Sequence, residues 1–74
     1  QVLLNLGDVY YIMNDYNKAI ANFSAADSLG EMYSWMTIKK TGNWGLYHCY
    51  KSLEQCELTN KYLEKYHEIE NSLR

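Results

Sequence analysis

The side chains in this 74-residue sequence best suited to reactive chemistry are Cys49, Cys56, His48 and His67. Two thiols beside an imidazole could ligate a metal or exchange disulfides, and a histidine among carboxylates could move protons. Their spacing argues against each use. On one straight helix Cys49 and Cys56 would share a face about 10.5 Å apart, beyond the roughly 7 Å between Cα atoms that a disulfide can bridge, so they read as buried free thiols. His48 is adjacent to Cys49 and points about 100° away from it around a helix. His67 has Glu64 and Glu68 nearby on a charged face and reads as a solvated residue. Asn22-Phe23-Ser24 fits a glycosylation acceptor, but Phe23 falls on an apolar helical stripe, which discounts it. The sequence holds no glycine-rich phosphate loop, nucleophile elbow or convincing carboxylate pair. No enzymatic activity, metal or cofactor is expected.

The elements that would position these residues are all helical. Apolar residues at Val2, Leu3, Leu4, Leu6, Val9, Tyr10, Tyr11, Ile12 and Met13 are too many for one narrow stripe, so this first helix should bury two faces. Leu3, Leu6, Gly7 and Tyr10 are expected to face inward, with Gly7 admitting a close neighbour. Asn14-Asp15 supplies turn and N-cap chemistry. A second helix follows from Tyr16 with Ala19, Ile20, Phe23 and Ala26 on its apolar face. At Gly30 the spacing allows a break or kink, which we favour, or one long helix over residues 16–40. Thr41-Gly42-Asn43 reads as a stop, residues 44–58 as another helix, Thr59-Asn60 as a turn and residues 61–73 as a last helix. No strand pattern appears.

Composition narrows the function classes. Hydrophobic residues make up 47% and charged residues 22%, inside the globular range. The formal net charge of -2 gives no basic surface for nucleic acid or anionic lipid. No apolar run approaches the roughly 20 residues that span a bilayer, so a cytoplasmic module is the expectation. Eight Tyr, two Trp and no Pro suggest helices packed through bulky rings, some of them exposed.

The series Leu3-x2-Leu6-Gly7-x2-Tyr10, then Asn14-Asp15-Tyr16, then Ala19-x3-Phe23-x2-Ala26 resembles a tetratricopeptide repeat. Leu3 stands where the family often has Trp, and Glu31 where a closing Pro often lies. The resemblance implies an all-α fold of antiparallel helix hairpins in an α-α superhelix, with four or five short helices. It divides a single domain over residues 1–74, read as a piece of a longer chain, into a first repeat (2–29), a connecting helical segment (31–43) and a degenerate second repeat (44–73). The long spacing is similar to extended variants in bacterial regulators and sensors.

That resemblance implies a protein or peptide partner, or adjacent repeats of the same parent chain, rather than nucleic acid or membrane. The expected partner-binding stripe is Leu4, Asp8, Tyr11 and Ile12, continued by Tyr47, Tyr50, Lys51 and Glu54. The family's carboxylate-clamping groove is not expected, because Leu4 and Asp8 stand where it needs Lys and Asn. An apolar or mildly basic segment fits better. The alternative is a homodimer formed through exposed Tyr33, Trp35 and Trp44, with exchange of the last helix.

Overall fold

Three turns of one design set the architecture. In the computed structural model, which describes residues 1–73, they separate α1 (Val2–Ile12), α2 (Tyr16–Tyr33), α3 (Met36–Ser52) and α4 (Cys56–Ser72). Each turn places a non-glycine residue in the left-handed region: Asn14 at φ 62°, Ser34 at φ 56° and Glu54 at φ 59°. The next residue returns to negative φ and opens the following helix: Asp15, Trp35 and Gln55 have φ/ψ of -92°/76°, -84°/82° and -94°/81°. Its N–H donates to a carbonyl five residues back: Asp15 to Tyr10 (2.9 Å), Trp35 to Gly30 (2.9 Å) and Gln55 to Tyr50 (3.0 Å). These are the long bonds of Schellman motifs, which satisfy carbonyls that a helix end leaves open. Helices begin at 16, 36 and 56, so the unit of helix plus turn is 20 residues and the hairpin unit is twice that.

The first turn lies where the sequence places it, and Asp15 caps α2 by accepting from the Lys18 N–H at 3.3 Å. The later boundaries differ. α2 runs unbroken through Gly30 and ends at Tyr33, so the segment read as a connector divides between the end of α2 and the first half of α3. Thr41-Gly42-Asn43 lies inside α3 and Thr59-Asn60 inside α4. Cys49 and Cys56 sit on different helices, so the single-helix distance argument does not apply; Cys49 is buried and Cys56 exposed.

Glu54 carries a side chain at a backbone conformation that disfavours one, at a cost of about 1–2 kcal/mol. Glu54→Gly is therefore expected to raise the urea-unfolding free energy by about 0.5–1 kcal/mol, since glycine also has more unfolded-state freedom to lose.

The core forms where α1 and α3 both meet α2. Ala19, Phe23, Leu46 and Cys49 are buried, and Leu4, Tyr10, Tyr11, Ile20, Tyr50 and Tyr62 pack around them. Leu6 was expected inward but is 40% exposed, while Leu4 packs on the core: the buried arc of α1 is rotated toward α3. The Phe23 ring fills the space left by two missing side chains. A Cβ on Gly7 would lie 2.7 Å from Phe23 Cε1, and one on Gly45 2.5 Å from Phe23 Cδ1. Glycine at both places lets α1 and α3 close on opposite sides of one ring.

A polar contact fixes α3 against α2. Asn43 is fully buried, and its Nδ2 donates to Asp27 Oδ1 at 2.7 Å and to the Lys39 carbonyl at 2.8 Å, while Oδ1 has no hydrogen-bond partner among the described residues. Lys65 of α4 reaches the other Asp27 oxygen at 3.6 Å, so this carboxylate ties three helices together. On the outside of the molecule, α1 exposes Val2, Leu6, Val9 and Met13, a stripe at helical spacing. The outer side of α4 exposes Glu57, Lys61, Glu64 and Glu68 instead.

Candidate functional site

α1 and α3 lie side by side, and the furrow between them is the best-formed concavity with unspent binding groups. It encloses about 240 Å³ and is lined by Asp8 and Tyr11 of α1, Phe23 of α2, and Trp44, Gly45 and His48 of α3. Gly45 lets the Phe23 ring lie against α3, and the ring forms part of the lining between the residues that flank this glycine.

The walls are aromatic. The His48 ring lies 4.6 Å from Trp44 at 84° and 6.2 Å from Tyr11 at 68°, so it stands steeply to both. Tyr16 extends the row from Tyr11 at 5.7 Å, and Tyr47 and Tyr66 flank Trp44 at 5.4 Å and 4.8 Å. A hydrogen bond of 3.3 Å joins the Tyr11 hydroxyl to Ser52 Oγ and holds α1 to α3 at the far end. Burial, then the nearby positive Lys51, lowers the His48 pKa from its ordinary value, which favours the neutral ring. Asp8 is exposed and makes no ion pair or hydrogen bond with any described residue. It is the one charged group lining the furrow.

The expected stripe divides between the furrow, the core and solvent. Asp8 and Tyr11 line the furrow. Tyr47 borders it through the Trp44 and His48 rings, and Lys51 is drawn over Tyr47 at 5.7 Å. Leu4 packs into the core, and Ile12 is 78% exposed. Tyr50 stacks on Tyr62 of α4 at 5.4 Å and 7°, away from α1, and Glu54 is the left-handed residue of the last turn. Trp44 and His48 were not anticipated as lining residues. Their signal in the sequence is an aromatic pair four residues apart, which a helix sets on one face.

A larger, more open cleft of about 670 Å³ is lined by Asp27, Ser28, Glu31, Met32, Lys39 and Lys65. Its charges are already matched: Lys39 pairs with Glu31, whose pKa it lowers by hydrogen bond and then by charge, and Lys65 pairs with Asp27. Cys49 is packed in the core, where burial pushes its thiol pKa up to about 11 and keeps it protonated at neutral pH. Among the described residues no three His, Cys, Asp or Glu side chains converge on a point that could hold a metal ion, and no helix is long and apolar enough to cross a membrane.

Fold and furrow together define an all-α chain of antiparallel helix hairpins that presents a concave aromatic surface. No protein-family model matches the chain, and no match is found among curated proteins or among solved structures.

Proposed function

We propose that this chain is a non-enzymatic interaction module of the tetratricopeptide type, which binds a peptide or protein segment in the furrow between α1 and α3. The observation that carries this reading is the furrow itself: open to solvent and lined by Trp44, Tyr11 and His48. Partially exposed aromatic rings are the side chains that most often dominate binding energy, and a furrow preformed by helix packing saves the ordering cost of association. The 40 residues from Asn14 to the matching turn at Glu54 exceed the 34 of the common repeat, because α2 and α3 are 18 and 17 residues long. Longer helices lengthen the concave surface without changing which helices line it.

Peptides selected from a displayed random library on the intact chain should shift the amide resonances of Asp8, Gly45 and His48. Trp44→Ala should weaken them at least tenfold, as expected for a central interface Trp. Because Trp44 is 41% exposed, circular dichroism should show helicity retained in this variant. Peptides whose shifts map to the outer stripe of α1 instead would overturn the reading.

A further inference from the structure

The furrow has a chemical preference as well as a shape. At about 240 Å³ it is smaller than the roughly 300–1,000 Å³ of sites that enclose whole small ligands. It suits one long side chain of a partner whose backbone stays outside. It is lined by Tyr11, Trp44, His48 and Phe23, and its one charged lining group among the described residues is the unpaired Asp8 carboxylate. Aromatic faces attract cations through their ring quadrupole, Trp most strongly, and a carboxylate at the rim adds a direct counter-charge. An anionic side chain would meet Asp8 and the negative ring faces together. An apolar one would leave Asp8 without any gain. Lys51, the cation nearest His48, is held over the Tyr47 ring and is not part of the lining.

Resting on the reading of the furrow as a peptide site, we propose that its occupant is a cationic side chain, arginine or lysine, of a partner peptide, with Asp8 as its counter-ion and Trp44 and Tyr11 as its aromatic walls. The chain itself shows that its rings take cations: Lys40 lies over Tyr66 at 5.6 Å and Lys18 over Tyr10 at 5.5 Å. Arginine is the better fit of the two, because a flat guanidinium can stack on one ring while its fork bonds a carboxylate.

The test uses the intact chain and three capped pentapeptides that differ only in a central arginine, norleucine or glutamate, with binding followed by the amide shifts of Asp8, Gly45 and His48. The arginine peptide should bind at least tenfold tighter than the norleucine peptide, with the glutamate peptide weakest. Asp8→Asn should abolish the arginine preference, whereas Asp8→Glu should retain it. Equal binding of arginine and norleucine peptides, or an Asp8→Asn variant that still prefers arginine, would overturn the cation proposal and leave the furrow as an apolar peptide site. No furrow shifts with any of the three would overturn both. Asp8 is exposed and has no partner among the described residues, so melting temperatures should be equal across the three proteins.

Discussion

Phe23→Ala should abolish the cooperative unfolding transition of this chain at 25 °C. Truncating a buried Phe costs about 3–5 kcal/mol, from lost transfer energy and the cavity left behind, and a chain this small draws only about 3–5 kcal/mol from a single core. The upper end of the range is expected here because of what surrounds the ring. Gly7 and Gly45 face it from two helices, and neither has a side chain that could move into the vacated space. Only a shift of whole helices could fill it. Far-UV circular dichroism with urea titration is the measurement, and Phe23→Leu, which leaves a smaller gap, should retain a transition at lower urea. A Phe23→Ala protein that unfolds like the parent would mean that the ring is not the wedge between α1 and α3.

Asn43→Asp is expected to be nearly as damaging at neutral pH, and to recover in acid. The Asn43 amide is fully buried and gives both its protons to oxygens, Asp27 Oδ1 and the Lys39 carbonyl. A carboxylate there would place a second negative charge against Asp27 with no donor in place, and an uncompensated buried charge costs about 3–5 kcal/mol. Burial and the Asp27 charge would both raise the folded-state pKa of the new carboxyl above its unfolded value of about 3.9. The sign follows from linkage: the penalty is absent below the unfolded pKa, grows as pH rises through the interval, and is complete above the folded pKa. Once protonated, the acid can donate one hydrogen bond to Asp27 in place of the amide. Urea midpoints at pH 7 and pH 4.5 should therefore converge toward the parent's as pH falls. A variant with the same deficit at both values would mean that lost packing, not charge, is responsible.

How much of this could be read in advance depended on whether turn chemistry stood at the turns. Asn14-Asp15 is such a place: Asn tolerates the left-handed conformation and Asp caps the next helix, so the first hairpin, with Gly7 facing Phe23 between Ala19 and Ala26, was legible in residues 3–26. The other two turns use Ser34-Trp35 and Glu54-Gln55, which carry no such signal. The residues that do carry it were spent elsewhere. Gly42 brings α3 onto the backbone of α2 near Phe23 and Asp27, Asn43 makes the buried bond, and Thr41 and Thr59 turn their hydroxyls back onto the carbonyls of Thr37 and Gln55 within their own helices. Of the furrow, Asp8 and Tyr11 were legible because they lie beside the packed arc of α1. Trp44 and His48 were not, since the face of their helix expected to continue the stripe, Tyr47, Tyr50, Lys51 and Glu54, is rotated from the one that lines the furrow.

The identical turns also set a rule for how such a chain can change length. Each turn reverses direction, so a duplicated or deleted block of one helix and one turn would exchange the concave and convex layers of everything beyond it and bring outer side chains to the furrow. A block of two, 40 residues between matching turns at Asn14 and Glu54, restores the layer and its facing. Gain or loss by pairs of helices is therefore the step that preserves a lined concave surface, and insertions of any other length are tolerable at the turns only as loops.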